Sequence, residues 1–364
     1  MIEKYMKMAI ELAQLGRGHT NPNPLVGAVI VKNNKVIGEG YHQYYGGLHA
    51  ERNAFANCIE DCSNADLYVT LEPCCHYGKT PPCTDIIIEK KIKRVFIGSN
   101  DPNPLVAGKG IEQLKQHGIE VYTEILKQEC DALNTIFFHY IKTKQPYVVM
   151  KYAMTADGKI ATYTGDSKWI TGEQARKQVH SMRNALSSIM VGIGTVLADN
   201  PLLNCRIKNG KNPVRIICDS TLKIPLESQI VQTAKEIKTI IAFAQKQEQK
   251  QKALEQAGIQ LLYLPNKENK VDLKALMEEL GKQSIDSVLL EGGGTLNECA
   301  LHLGLVNRVE VYIAPKLFGG SAAKSPIEGK GVSLAKDAYG LCLKNVQKVG
   351  EDILLEYDVN KRGE

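Results

Sequence analysis

Three residues, His49, Cys74 and Cys83, constrain this chain most, because segments so far apart can share one metal ion only if the fold brings them to a point. An imidazole and two thiolates leave the fourth position of a tetrahedron to water, as a catalytic zinc requires. Two thiolates also neutralise the ion and weaken its pull on that water, so a nearby base is useful. Glu51, two residues after His49, is the candidate for it. Pro73 precedes Cys74, and a helix opening at Cys74 would lower its thiol pKa. Cys75 and His76 leave open a closed structural zinc with a fourth protein ligand. Cys58 and Cys62 read as a helical pair facing the core.

The remaining composition narrows the setting. A length of 364 residues predicts two domains, and a pattern that resets around Thr143 to Pro146 places them at 1–145 and 146–364. Met1 to Leu15 has the apolar spacing of an amphipathic helix without a signal-peptide core, and no apolar run reaches membrane-spanning length. A cytoplasmic protein is expected, with no membrane partner. Ten cysteines are then reduced thiols or metal ligands. The net charge of +5 is spread along the chain and only 6% of residues are aromatic, so a nucleic-acid groove is not indicated.

Helical and strand patterns alternate throughout, which predicts an α/β fold. The expected elements of the first half are a hairpin over Leu25 to Gly40, strands at Ala65 to Leu71 and Arg94 to Gly98, and helices at Ile86 to Lys91 and Gly110 to His117. In the second half, strands are expected at Tyr147 to Tyr152, Ser188 to Val191, Val214 to Asp219, Thr239 to Phe243, Ser287 to Leu290 and Val309 to Ala314. No internal repeat relates the halves.

His49-Ala50-Glu51, Pro73-Cys74 and Cys83 follow the order used by zinc deaminases of nucleobases. Eight residues, not two, separate Cys74 from Cys83. With His19-Thr20-Asn21-Pro22-Asn23-Pro24 and Asn100-Asp101-Pro102-Asn103-Pro104, that longer loop resembles the pyrimidine deaminase half of the bifunctional riboflavin-biosynthesis deaminase-reductases. The resemblance implies a cytidine-deaminase-like α/β/α sandwich containing Zn2+. The implied substrate is 2,5-diamino-6-(5-phosphoribosylamino)-4-pyrimidinone, which loses its 2-amino group. It also implies His76, Lys79, His42 and Asn103 as candidates for the 5-phosphate, with Asn23 and Asp101 fixing the ring.

In the second half, Glu291-Gly292-Gly293-Gly294-Thr295 follows a strand and precedes a helix, a place where bare amides can cradle a pyrophosphate. Gly192-Ile193-Gly194-Thr195 is a similar turn. Together with Lys151 to Ala161, Ser167-Lys168-Trp169-Ile170 and Ala198-Asp199-Asn200-Pro201, these resemble the reductase of the same family, whose fold is similar to dihydrofolate reductase. The implied cofactor is NADPH, delivering hydride to C1 of the ribosyl group. By that resemblance Ala153, Trp169, Thr195, Asp199, Ser220, Gly293, Gly294 and Thr295 line the dinucleotide. Ser167, Arg183, Leu203, Arg206 and Glu291 meet the substrate, and Lys151 and Asp199 are candidates to polarise its sugar oxygen. Family members assemble as homo-oligomers.

Three other readings share parts of this pattern. A deaminase acting on nucleic acid would need a basic, aromatic surface. A zinc-stabilised binding protein would not need Glu51. A deaminase with an idle second half would not oxidise NADPH.

Overall fold

In the computed structural model, which describes residues 1–77, 80–104 and 106–360, the chain divides into two units, Met1–Lys144 and Gln145–Glu364. The first unit runs α1 (Ile2–Gln14), β1 (Gly27–Lys32), β2 (Lys35–Tyr41), α2 (Ala50–Ala56), β3 (Asp66–Leu71) and α3 (Cys83–Glu89). It continues with β4 (Arg94–Ser99), α4 (Lys109–Gln116), β5 (Glu120–Tyr122), α5 (Lys127–Leu133) and α6 (Thr135–Thr143).

Its sheet has the order β2-β1-β3-β4-β5, with β1 antiparallel to both neighbours and β3, β4 and β5 parallel. Successive strand residues point to opposite faces, and here both sets are apolar. Ile30, Leu67, Val69 and Ile97 pack with Ala54, Ile87 and Leu114 of α2, α3 and α4. Val29, Val31, Tyr68 and Phe96 pack on the opposite face with Tyr5, Met6 and Ala9 of α1 and with Cys130 of α5. A sheet buried on both faces is a three-layer α/β/α sandwich. Gly40 lets α2 settle on β2, since a Cβ there would lie 2.2 Å from the backbone nitrogen of Ala54.

The second unit runs β6 (Tyr147–Thr155), α7 (Glu173–Ala185), β7 (Ser188–Gly192), α8 (Ile193–Asp199), β8 (Val214–Cys218), α9 (Gln229–Gln232) and β9 (Thr239–Phe243). Next come α10 (Glu248–Gln256), β10 (Gln260–Tyr263), α11 (Leu273–Lys282), β11 (Ser287–Leu290) and α12 (Gly294–His302). The last strands are β12 (Arg308–Ala314), β13 (Leu341–Val349) and β14 (Asp352–Val359). The nine strands lie in the order β10-β9-β8-β7-β11-β6-β12-β14-β13. Pairing is parallel from β10 to β12 and antiparallel beyond. Among the described residues, no helix is long and apolar enough to cross a membrane.

Several local expectations need correction. Cys74 does not open a helix; it lies in the irregular segment after β3, and the following helix begins at Cys83. Cys58 and Cys62 both lie beyond the end of α2, so they are not a helical pair, although Cys62 is buried in the core with Cys58 packed against it. Strands β5, β10, β13 and β14 were not foreseen. Strand β13 is exposed at every position but its last, so no buried face imposes the alternation that marks a strand.

A row of polar residues crosses the antiparallel edge, where Lys151 pairs in register with Glu310 and Glu310 with Glu356. Burial, reinforced by the Glu356 charge, pushes the Glu310 carboxyl up to about 7. Because its folded pKa lies above the ordinary 4.5, ionising Glu310 costs the folded state stability as pH rises through that window. Glu310→Gln is therefore expected to stabilise the protein by about 1–3 kcal/mol at pH 8, discounted for partial exposure, and by little at pH 4.5. Denaturant titrations at the two pH values check this, and an equal effect at both would refute it.

Candidate functional sites

In the first unit, the metal-capable residues sit where secondary structure elements end. His49 is the N-cap of α2, Glu51 is the second residue of that helix, Cys74 follows β3 by three residues, and Cys83 opens α3. His49 Nδ1 lies 3.5 Å from Cys74 Sγ and 3.4 Å from Cys83 Sγ, and the three ligand atoms are within 4.8 Å of one another. A tetrahedral zinc with ordinary bond lengths sets such nitrogen and sulfur atoms about 3.6 Å apart, so the three residues fit the ion as they stand. The Thr80 hydroxyl lies 3.4 Å from His49 Nε2, which restrains the ring from its far side. Cys75 and His76 do not join the cluster among the described residues, which favours the open site over the closed one.

Hydrogen bonding by Cys83, followed by His49, lowers the Cys74 thiol to about 4, while Cys83 is raised by the same pairing and by burial. His49 is raised, chiefly by its bond to Cys74. Glu51 is only 3% exposed, and burial raises its carboxyl, as a group that must both take and give a proton requires.

A cavity of about 260 Å³ opens over this cluster, and Asn23, His42, His76, Asp101 and Asn103 line it along with His49, Glu51 and Cys74. His42 is lowered by burial and therefore neutral, so the donor that its Nδ1 presents to the Leu48 carbonyl, 3.0 Å away, leaves Nε2 to accept from Asn23 Nδ2 at 3.1 Å. Both ring nitrogens are thereby engaged, so His42 holds the Asn23 side chain and presents neither positive charge nor a free N–H to a phosphate. Burial pushes Asp101 up to about 6, and the Asn103 amide donates to its Oδ1 at 2.8 Å. His76 Nδ1 is buried with no hydrogen-bond partner among the described residues, a donor or acceptor awaiting a ligand. Lys79 lies outside the described residues.

In the second unit, a cavity of about 600 Å³ lies where β7 and β11 end, and Ser167, Thr195, Asp199, Ser220, Gly293, Gly294 and Thr295 line it. Carboxyl ends of parallel strands are where such sheets bind dinucleotides. Gly293 is the N-cap of α12 and offers no side-chain cap, so among the described residues the amides of Gly294 and Thr295 have no intrahelical partner and can meet an anion. A Cβ at Gly194 or Gly293 would meet nothing within 4 Å, so backbone is bare at the cavity wall. These features fit a pyrophosphate-bearing cofactor.

Nearby, Arg183 Nη2 pairs with Glu291 Oε2 at 2.7 Å, and Lys151 is close enough to help hold the Glu291 carboxylate below its ordinary range, against burial. Arg183 Nε and Glu291 Oε1 are buried without a hydrogen-bond partner among the described residues. Arg206 Nε meets His180 Nε2 at 3.1 Å, and burial, with Arg183 and Arg206, lowers that histidine to about 4. Leu203 is buried and takes a left-handed backbone, φ 51°.

Two expected residues stand apart. Trp169 does not line the cavity; it is 61% exposed, with the Arg176 guanidinium 4.8 Å from its ring centre. Ala153 packs instead against the cluster around Tyr312. Sequence reasoning also missed lining residues, among them Cys218, Lys270, Cys299 and Lys324. They come from separate elements and carry no local motif.

Comparison with known proteins agrees with this geometry. Residues 146–355 match the RibD C-terminal domain family, and residues 1–99 match the cytidine and deoxycytidylate deaminase zinc-binding region. The riboflavin biosynthesis protein RibD of Actinobacillus pleuropneumoniae is 59% identical over 98% of this chain and 94% of its own length. That of Bacillus amyloliquefaciens is 44% identical over 98% and 95%. The crystal structure of a diaminohydroxyphosphoribosylaminopyrimidine deaminase/5-amino-6-(5-phosphoribosylamino)uracil reductase from Thermotoga maritima is 39% identical, covers 99% of both chains and superposes with a TM-score of 0.88. A structure of Acinetobacter baumannii RibD is 37% identical over 99% of both chains, with a TM-score of 0.89. The chain belongs to the RibD family of bifunctional riboflavin biosynthesis enzymes, with a cytidine-deaminase-like zinc-binding unit and a dihydrofolate-reductase-like, NADPH-dependent reductase unit.

Proposed function

We propose that residues 1–145 hydrolyse the 2-amino group of 2,5-diamino-6-(5-phosphoribosylamino)-4-pyrimidinone, and that residues 146–364 then reduce the ribosyl group to give 5-amino-6-(5-phosphoribitylamino)uracil. The observation that carries the reading is the open three-ligand cluster with Glu51 beside it, at the floor of a cavity lined by Asn23, Asp101 and Asn103.

His49, Cys74 and Cys83 hold the zinc, which when bound supplies an activated water. Glu51 accepts one proton of the attacking water and passes it to the ring nitrogen, then carries the second from the added hydroxyl to the amino group, which leaves as ammonia while that oxygen becomes the ring carbonyl. Asn23, held by His42, and Asp101 orient the pyrimidine, while His76, Lys79 and Asn103 serve its phosphorylated arm. In the second unit, NADPH supplies the hydride. Thr195, Asp199, Ser220, Gly293, Gly294 and Thr295 hold the dinucleotide, with Ala153 and Trp169 outside the cavity in this state. Arg183, Arg206 and Glu291 position the substrate with Ser167 and the Leu203 backbone, and Lys151 and Asp199 polarise the sugar oxygen. Arg183 and Arg206 suit a phosphate because a guanidinium can grip it with two parallel bonds. The protein acts as a cytoplasmic homo-oligomer, with no nucleic-acid or membrane partner.

Mass spectrometry after the zinc-loaded protein meets the diaminopyrimidine nucleotide tests both steps. Deaminated product is expected without NADPH, and deaminated, reduced product with it. No deamination by folded, metal-replete protein would reject this substrate.

A further inference from the structure

Glu72 lies between strand β3 and the ligand Cys74, is 3% exposed, and pairs with no cation among the described residues. Its carboxylate is occupied instead by backbone amides. Oε1 accepts from Gly110 at 3.1 Å and Ile111 at 3.3 Å, and Oε2 accepts from Gly108 at 3.1 Å and Asp101 at 3.4 Å. Gly110 and Ile111 are in the first turn of α4, whose own N-cap, Gly108, has no side chain to offer. A helix needs acceptors for its first amides, and an anion suits its positive end. Glu72 therefore does from a distant segment, just after β3, what an Asp or Ser N-cap does locally.

The other side of this junction is equally close. A Cβ on Gly110 would lie 2.2 Å from the Pro73 carbonyl oxygen, so α4 starts against the residue that precedes Cys74. The same carboxylate thus grips the start of α4 and the amide of Asp101, whose side chain lines the cavity over the metal cluster.

We propose that Glu72 is a positioning residue that caps α4 from the segment following β3 and so sets Asp101 and Asn103 at the correct height over the metal cluster for substrate binding. The inference rests on the deaminase reading above. It explains why an acid is needed at Glu72, which also lines the cavity but is not one of the three clustered ligands. A glutamine of the same shape keeps one acceptor oxygen but turns an NH2 toward two backbone N–H donors, leaving them unsatisfied.

The test compares wild type, Glu72→Gln and Gly110→Ala for zinc content, deamination kinetics and hydrogen exchange of the amides from Gly108 to Ile111. Both variants are expected to keep zinc, to raise KM by about 10-fold with a smaller change in kcat, and to exchange these amides faster. Each disturbs the junction from a different side, so their combined effect is expected to be less than additive. Zinc loss with unchanged exchange would overturn the proposal and make Glu72 a support for Cys74 alone. Wild-type KM in both variants would overturn it as well. If Glu72→Gln does not fold, Gly110→Ala decides by the same readings. Failure of the wild type to deaminate refutes the underlying reading, whereas an active wild type with indifferent variants refutes only this one.

Discussion

Replacing Glu51 with glutamine is expected to cut the deamination rate by about 10²- to 10⁴-fold while leaving zinc bound. The substitution preserves volume at a site only 3% exposed, so the fold has little reason to change. What it removes is the ability to accept a proton. Because Glu51 sits in the first turn of α2, two residues after the N-cap His49, the backbone that positions it also positions a metal ligand. Zinc content must therefore be measured beside the rate. Loss of both would show that Glu51 supports the site instead of acting in it, and a retained rate would remove it as the base. NADPH oxidation with deaminated substrate is the reference, since Glu51 belongs to the first unit and the dinucleotide cavity to the second. A matching loss there would argue for general misfolding.

The metal cluster was legible because its chemistry demands fixed residue types in a fixed order, and His49, Cys74 and Cys83 meet as that order requires. Strands such as Thr239–Phe243 and Ser287–Leu290 were equally legible, being short apolar runs buried on both faces. What escaped depends on partners far along the chain. The helix expected at Cys74 is displaced to Cys83, because the segment after β3 is spent bringing two thiols to one histidine. Glu72 reads as an ordinary residue before a proline until Gly108, Gly110 and Ile111 arrive to bond it. Trp169 was expected at the dinucleotide by its place in a motif, yet its neighbour is Arg176, and motif position does not specify which way a loop residue faces.

Arg215 is the other residue whose role no local pattern announces, and its loss is expected to be the most destabilising single change in the second unit. It lies in strand β8 with no exposed surface, and burial lowers its pKa to about 10. It makes five hydrogen bonds: Nε to Thr239 Oγ1 at 2.9 Å, Nη1 to the Leu202 carbonyl at 3.2 Å and Thr233 Oγ1 at 2.8 Å, and Nη2 to the carbonyls of Ile230 at 2.9 Å and Ile237 at 3.1 Å. No carboxylate forms an ion pair with it among the described residues. Two effects oppose each other in Arg215→Met. Removing a buried charge recovers its desolvation cost, which can make a hydrophobic replacement stabilising. Against that, the carbonyls of Leu202 and Ile230 lose a charged donor, at roughly 1–3 kcal/mol each, while that of Ile237 keeps the Thr239 hydroxyl. The carbonyls outnumber the charge, and a net loss of about 3–5 kcal/mol is expected. Arg215→Lys would not rescue it, because one ammonium cannot reach acceptors spread around a planar fork. Since Leu202 precedes Leu203, the same change is expected to raise the reductase KM as well. Chemical denaturation of both variants decides the balance: stability equal to or above wild type in Arg215→Met would mean that desolvation, not the hydrogen-bond network, dominates at this site.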